Sequence, residues 1–448
     1  MFNLFKRIGA FITIEPLAAL QYMAIGKSEL AGALQYAESI GFESDPMKLL
    51  DFQSRSSERD YSFLLDEKRY VKARNLFELC QSRSNVEAGH QLFSEIAKDI
   101  EECERIAMED HQPIHRDWSL PGIQRFTEHN HKKVVVQSLL ARALYYSLDS
   151  RLEEALADIK LCRACIGSTL DDHFMVAQVT GGVHLLKWLR ALEVIGLRAS
   201  GEPAILTSLC NDALAATLPD IRSCLQAEAA NMRLIINRVR SGEIEIGMLV
   251  ELYNESIMAY NDANAKVYRE YGTPRNLRKH KLATLPLNWG RLAKYCWDSI
   301  EANQLRAYVG CYEYWDDIDA VKEVERIAQE HYYISPSPVA RHEMNSLEQT
   351  LRCRLALAAI TLKALEVRAR TGALSDAREI AQQIGITPYD QVSKRWYVLR
   401  FDPDGVTAFA GMAKTGGREL PANTSAGDPT FTVSEKGVSR KPFPTCLC

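Results

Sequence analysis

Four histidines lie close together in the chain, His111, His115, His129 and His131, with Asp117 and Glu128 between them. Imidazole nitrogens and carboxylates are the donors that zinc-type ions take, and three of them around an open position can activate water. If the loop around Pro113 folds back onto the following helix, these side chains could gather into a metal site, and the chain would be a metal-dependent enzyme. The competing reading is that they cap a helix or face solvent, with Asp117-Trp118 docking the loop. Cys162 and Cys165 stand three residues apart, a spacing that puts both thiols on one helix face. A structural zinc site needs four ligands, and no second pair of that spacing lies nearby, so core thiols are the expectation. Tyr308, Tyr312, Tyr314 and Trp315 form an aromatic cluster with Tyr332 and Tyr333 beyond it. Such rings anchor protein interfaces, and they also pack between helices. A basic run, Arg269, Arg275, Arg278, Lys279, His280 and Lys281, surrounds Gly272-Thr273-Pro274 and reads as a solvated loop and helix end. No glycine-rich phosphate loop, dinucleotide fingerprint, nucleophile elbow or paired catalytic carboxylates is present in the sequence, and no cofactor is expected.

The elements that would position these residues are helices. RNLFELCQSRSNVEAGHQLFSEIAKDIEECERIA places Leu76, Phe77 and Leu79, then Leu92, Phe93, Ile96 and Ile100, at the three-and-four spacing of amphipathic helices. The pattern recurs through GGVHLLKWLRALEVIGLRA and IRSCLQAEAANMRLIINRVR to LEQTLRCRLALAAITLKALEVRA. Between Ala141 and Cys165, Leu140, Ala141, Leu144 and Leu148 on one helix oppose Leu152, Ala155, Leu156 and Ile159 on the next, with Asp149-Ser150 at the turn. Gly181-Gly182 is expected to interrupt or kink a helix, and Ser335-Pro336-Ser337-Pro338 to break the chain into modules. Around Asp402-Pro403-Asp404-Gly405, KRWYVLRF and VTAFAGMA read as a β-hairpin. Beyond residue 413, Gly, Pro, Ser and Thr dominate, and a mobile tail is expected.

Composition narrows the function classes. Against 54 Lys and Arg stand 58 Asp and Glu, a formal net charge of -4. That balance gives no one-signed field for binding nucleic acid. The eleven cysteines sit mostly in apolar helical segments, as buried thiols of a reducing compartment do. Near the start, Lys6 and Arg7 precede an apolar run that Glu15-Pro16 interrupts, and a carboxylate within a bilayer span costs about 2–4 kcal/mol. Residues 1–26 are therefore expected to form a buried or surface-docked helix, with membrane association as the second reading and a cleaved signal as the third. The expected location is the cytoplasm, peripheral to or anchored in an inner membrane.

Two segments carry a resemblance. HRDWSLPGIQRFTEHNHKK, continuing to RALEVI, resembles the central part of a group of uncharacterised bacterial helical proteins, where an Asp-Trp element precedes a tetratricopeptide-like hairpin and a long helix. LRCRLALAAITLKALEVRARTGALSDAREIAQQIGITPYDQ, continuing to AFAG, resembles their C-terminal unit, a long helix and small hairpin like the soluble end of a pseudopilin. The resemblance implies a fold and no activity. The hydrophobic anchor usual in the group is broken here by Glu15-Pro16.

The sequence thus predicts a mainly α protein of helical hairpins in a bundle or short solenoid, with a small C-terminal β-hairpin. Its expected parts are an N-terminal helical region over 1–115, a helical-hairpin body over 116–335, a long helix plus hairpin over 336–413 and a tail over 414–448. The leading expectation for function is a non-enzymatic scaffold or adaptor that binds a protein partner through Tyr308, Tyr312, Tyr314 and Trp315. A metal-dependent enzyme using His111, His115, His129 and His131 is the alternative.

Overall fold

A computed structural model describes residues 26–50, 67–82, 86–109, 127–172, 174–243, 289–331, 341–402, 405–411 and 429–434. Residues 26–39 are helical (α1) and are followed by α2 (Pro46–Leu49), α3 (Glu67–Leu79), α4 (Val86–Glu109), α5 (Thr127–Leu148) and α6 (Leu152–Leu170). Next come α7 (Met175–Arg198), α8 (Pro203–Leu214), α9 (Ile221–Ser241), α10 (Trp289–Glu313), α11 (Ile318–His331), α12 (Arg341–Thr371) and α13 (Ala377–Gln383). Three strands complete the described chain: β1 (Tyr397–Asp402), β2 (Gly405–Ala410) and β3 (Thr430–Ser434). The protein is mainly α with one small antiparallel sheet, as the periodicity predicts.

The hairpin of α5 and α6 lies at the centre of the larger core. Ala141 and Ala155 are fully buried, and their small side chains let the two helices close on each other. The turn between them is made by Asp149 and by Ser150, which takes the left-handed conformation at φ 61°. Around this pair, α3 and α4 pack on one side and α7 on another, while α8 and α12 extend the same apolar cluster towards the sheet. Trp188 of α7 is fully buried and its indole N–H donates to the Ile159 carbonyl of α6 at 3.0 Å. A second core joins α1, α9, α10 and α11 to the start of α12 through Leu225, Leu305, Tyr308, Val321 and Met344.

Gly181-Gly182 does not break a helix: α7 runs from Met175 to Arg198 without interruption. A Cβ on Gly181 would sit 2.4 Å from Leu170 Cδ2, and one on Gly182 would sit 3.0 Å from Leu347 Cδ2. These glycines thus allow α6 and α12 to press on the α7 backbone. The expected module break at residues 335–338 lies outside the described residues, and α12 beyond it shares the core of α7 and α8.

The expected hairpin forms, with Tyr397 opposite Ala410 and Asp402 opposite Gly405. The sheet also has a third strand, which corrects the reading of 414–448 as tail alone. β3 pairs antiparallel with β2, placing Phe431 opposite Ala408 and Val433 opposite Val406. Phe431 and Val433 are buried in the core, so TFTVS is held by its alternating apolar face. Glu193 of α7 covers the free edge of β3, accepting from the Thr432 backbone N–H at 3.2 Å while pairing with Arg190 at 2.8 Å and Arg354 at 3.4 Å.

Among the described residues no helix is long and apolar enough to cross a membrane. Most of the 1–26 segment lies outside the described residues.

Candidate functional site

The aromatic cluster is built at the end of α10. Tyr308 and Tyr312 are one helical turn apart, and α10 ends at Glu313, after which Tyr314 to Asp316 form the turn into α11. The Tyr314 N–H donates to the Gly310 carbonyl at 3.1 Å, and the Asp317 N–H donates to the Tyr314 carbonyl at 2.8 Å. Asp317 then caps α11, its carboxylate accepting from the backbone N–H groups of Asp319 and Ala320, both at 3.1 Å. A tight turn with adjacent side chains points them in different directions, and it does so here.

Trp315 goes inward, 4% exposed. Its indole N–H donates to Glu348 Oε2 at 3.1 Å, and its carbonyl accepts from the Asn345 side-chain amide. Burial pushes the Glu348 carboxyl up, and the Trp315 hydrogen bond and Arg352 pull it back. Tyr308 is fully buried as well. These two rings belong to the core and offer no face to a partner, which corrects their expected place in a binding patch. Tyr312 is half-buried, packed edge-on against Phe42 with ring centroids 5.2 Å apart, and the Arg222 guanidinium lies 4.5 Å over its ring centre. Tyr314 faces outward, 46% exposed.

Tyr36 of α1 joins this surface from the other end of the chain. It is 44% exposed, and its hydroxyl donates to Glu313 Oε2 at 2.6 Å. The hydrogen bond to Glu313, followed by desolvation and the Glu313 charge, pushes the Tyr36 phenol up from 10.0 to about 12. A phenol held up by a carboxylate returns towards its ordinary value when the carboxylate is removed. In Glu313→Gln, ultraviolet titration is expected to show one tyrosine fewer ionising near pH 12 and one more near pH 10; an unchanged profile would refute the pairing.

The other predicted sites do not assemble among the described residues. His111 and His115 lie outside them, and His129 is placed only as part of the α5 backbone. His131 is described and its side chain is buried. Among the described residues no group of three or more His, Cys, Asp or Glu side chains is placed to hold a metal ion. The basic run around Gly272 also lies outside them. Cys162 and Cys165 are buried thiols outside any disulfide; Cys162 donates weakly to the Val136 carbonyl at 3.8 Å, and burial pushes it well above the ordinary thiol range. A thiol so held is a poor metal ligand and a poor redox group.

One constellation escapes sequence reading. His90 Nδ1 of α4 lies 2.8 Å from the Tyr145 hydroxyl of α5, and its Nε2 lies 3.4 Å from Asp149. The carboxylate orients the ring as in a proton relay. Yet Tyr145 is stacked on Phe93 at 3.9 Å and burial pushes its phenol up, so it stays protonated and serves as a tie between α4 and the α5–α6 turn. Fifty-five residues separate His90 from Tyr145, and no local spacing marks the pair.

No family model matches the chain, and no curated protein or solved structure matches it.

Proposed function

We propose that the chain is a non-enzymatic helical scaffold that binds a protein partner on the surface made by Tyr36, Tyr312 and Tyr314. The observation that supports this reading is the pair of outward tyrosines, Tyr36 and Tyr314, each more than 40% exposed, with Tyr36 hydrogen-bonded to Glu313, the residue that precedes Tyr314. Exposed large rings held close to one another cost solvation in an isolated chain and mark contact surfaces. Tyrosine suits that task because it supplies wide contact area with few rotatable bonds. Here the area is also preorganised: Glu313 fixes the Tyr36 hydroxyl, Phe42 fixes the Tyr312 ring, and the buried Trp315 fixes the backbone that presents Tyr314.

The test uses a partner first captured by cross-linking in cells and then purified. With that partner, the Tyr36→Ala/Tyr314→Ala variant is expected to bind at least thirtyfold more weakly, about 2 kcal/mol for loss of a hot spot, while its thermal unfolding is unchanged. Binding equal to that of the parent chain would dispose of the proposal.

A further inference from the structure

We infer that the occupant of the tyrosine surface is a basic segment of the partner protein, an extended stretch bearing arginine or lysine side chains. The inference rests on the docking reading above and adds the chemistry of what docks. The segment EYWDDID, from Glu313 to Asp319, carries Tyr314 among four carboxylates and contains no cation. All four, Glu313, Asp316, Asp317 and Asp319, are exposed. Neighbouring cations are already engaged at short range: Arg222 lies over the Tyr312 ring at 4.5 Å, Lys322 pairs with Asp319 at 3.3 Å, Arg326 pairs with Glu323 at 2.6 Å, and Arg306 donates to Asn303 at 3.2 Å. Asp319 keeps a side chain that is 93% exposed despite its pairing, so it can reorient towards an incoming charge.

The rings themselves take cations. Arg222 of α9 lies over the Tyr312 face at 4.5 Å, so this cluster holds a stacked guanidinium within the chain itself. Tyr36, hydrogen-bonded to Glu313, and Tyr314, next to Glu313 in the chain, offer further exposed rings. A guanidinium laid on a tyrosine with a carboxylate at its edge satisfies both the ring and the charge, which a neutral or acidic segment cannot do. A polyanion would meet repulsion here, and a second copy of the chain would have to bring a basic segment of its own.

The experiment measures fluorescence anisotropy of the full chain with a fluorescein-labelled nonapeptide of alternating Arg and Ser, against the counterpart with Glu for Arg. The Arg peptide is expected to bind, with a Kd that rises with salt, and the Glu peptide to show no binding. Asp316→Lys/Asp319→Lys and Tyr314→Ala are each expected to weaken the Arg peptide at least tenfold. Glu101→Lys, an exposed change of the same kind on α4, is expected to leave it unchanged. Equal weakening by Glu101→Lys, or none by the Asp316/Asp319 variant, would overturn the inference. Absence of peptide binding together with a dimer in sedimentation that Tyr314→Ala dissolves would overturn it in favour of self-association. The two readings separate with the captured partner: loss on Tyr314→Ala but indifference to charge reversal removes only the basic occupant, whereas indifference to Tyr314→Ala removes the docking surface itself. Circular dichroism melts of each variant establish that they are folded.

Discussion

Asp158→Ala is expected to lower stability by about 3–5 kcal/mol, the cost of breaking a buried ion pair from one side. Arg142 of α5 is 5% exposed, and its guanidinium donates to both oxygens of Asp158 on α6, at 2.9 and 2.6 Å, and to Glu104 on α4 at 2.6 Å. Burial works against the Arg142 charge, and the bonds from Asp158 and Glu104 more than restore it, so the group stays charged. When Asp158 is removed the guanidinium cannot neutralise itself, and one half-exposed carboxylate is left to balance it. The double change Arg142→Met/Asp158→Leu is expected to recover most of the loss, because the site then asks only for apolar packing. Urea denaturation followed by intrinsic tryptophan fluorescence checks both. A single variant within 1 kcal/mol of the parent chain would show that the pair does not hold α5 to α6.

That pair also marks what the sequence makes legible. The α5–α6 hairpin can be read from the spacing of Leu140, Ala141 and Leu144 against Ala155, Leu156 and Ile159, because burial of one helix face imposes a local period. The polar tie inside it cannot be read the same way. Arg142 and Asp158 look like ordinary surface charges until the neighbouring α4 closes over them. Gly181-Gly182 shows a related ambiguity: glycine serves a break or a close approach equally well, and only the position of Leu170 and Leu347 decides between them.

The site was half legible for the same reason. Tyr308, Tyr312, Tyr314 and Trp315 are conspicuous in sequence, yet a helix end and a turn point neighbours in opposite directions, so composition alone overstates the surface by two rings. Tyr36, which completes it, lies 277 residues from Glu313, and nothing in QYAESIGF announces a partner. Long-range hydrogen bonds leave no period in a sequence; their residues become visible only when the fold has brought them together.

Phe431→Ala is expected to cost about 3–5 kcal/mol, the range for deleting a fully buried aromatic ring. Phe431 sits in a five-residue strand within a stretch rich in Gly, Pro, Ser and Thr, where composition predicts a tail. The strand exists because two side chains, Phe431 and Val433, fill the space between the sheet and the helical core, and because β2 and Glu193 take up its backbone groups on opposite edges. Without the ring, the remaining Val433 contact and the Thr432 bond must offset the entropy of ordering the strand, at about 1–2 kcal/mol per residue. Hydrogen exchange is therefore expected to lose at least a hundredfold of protection over Thr430–Ser434, with a lower denaturation midpoint for the whole chain, since Phe431 belongs to the same apolar cluster as Trp188 and Leu362. Phe431→Leu keeps most of the volume and is expected to cost less than about 1.5 kcal/mol. Exchange unchanged in the alanine variant would mean that β3 is held by its backbone pairing rather than by its apolar face.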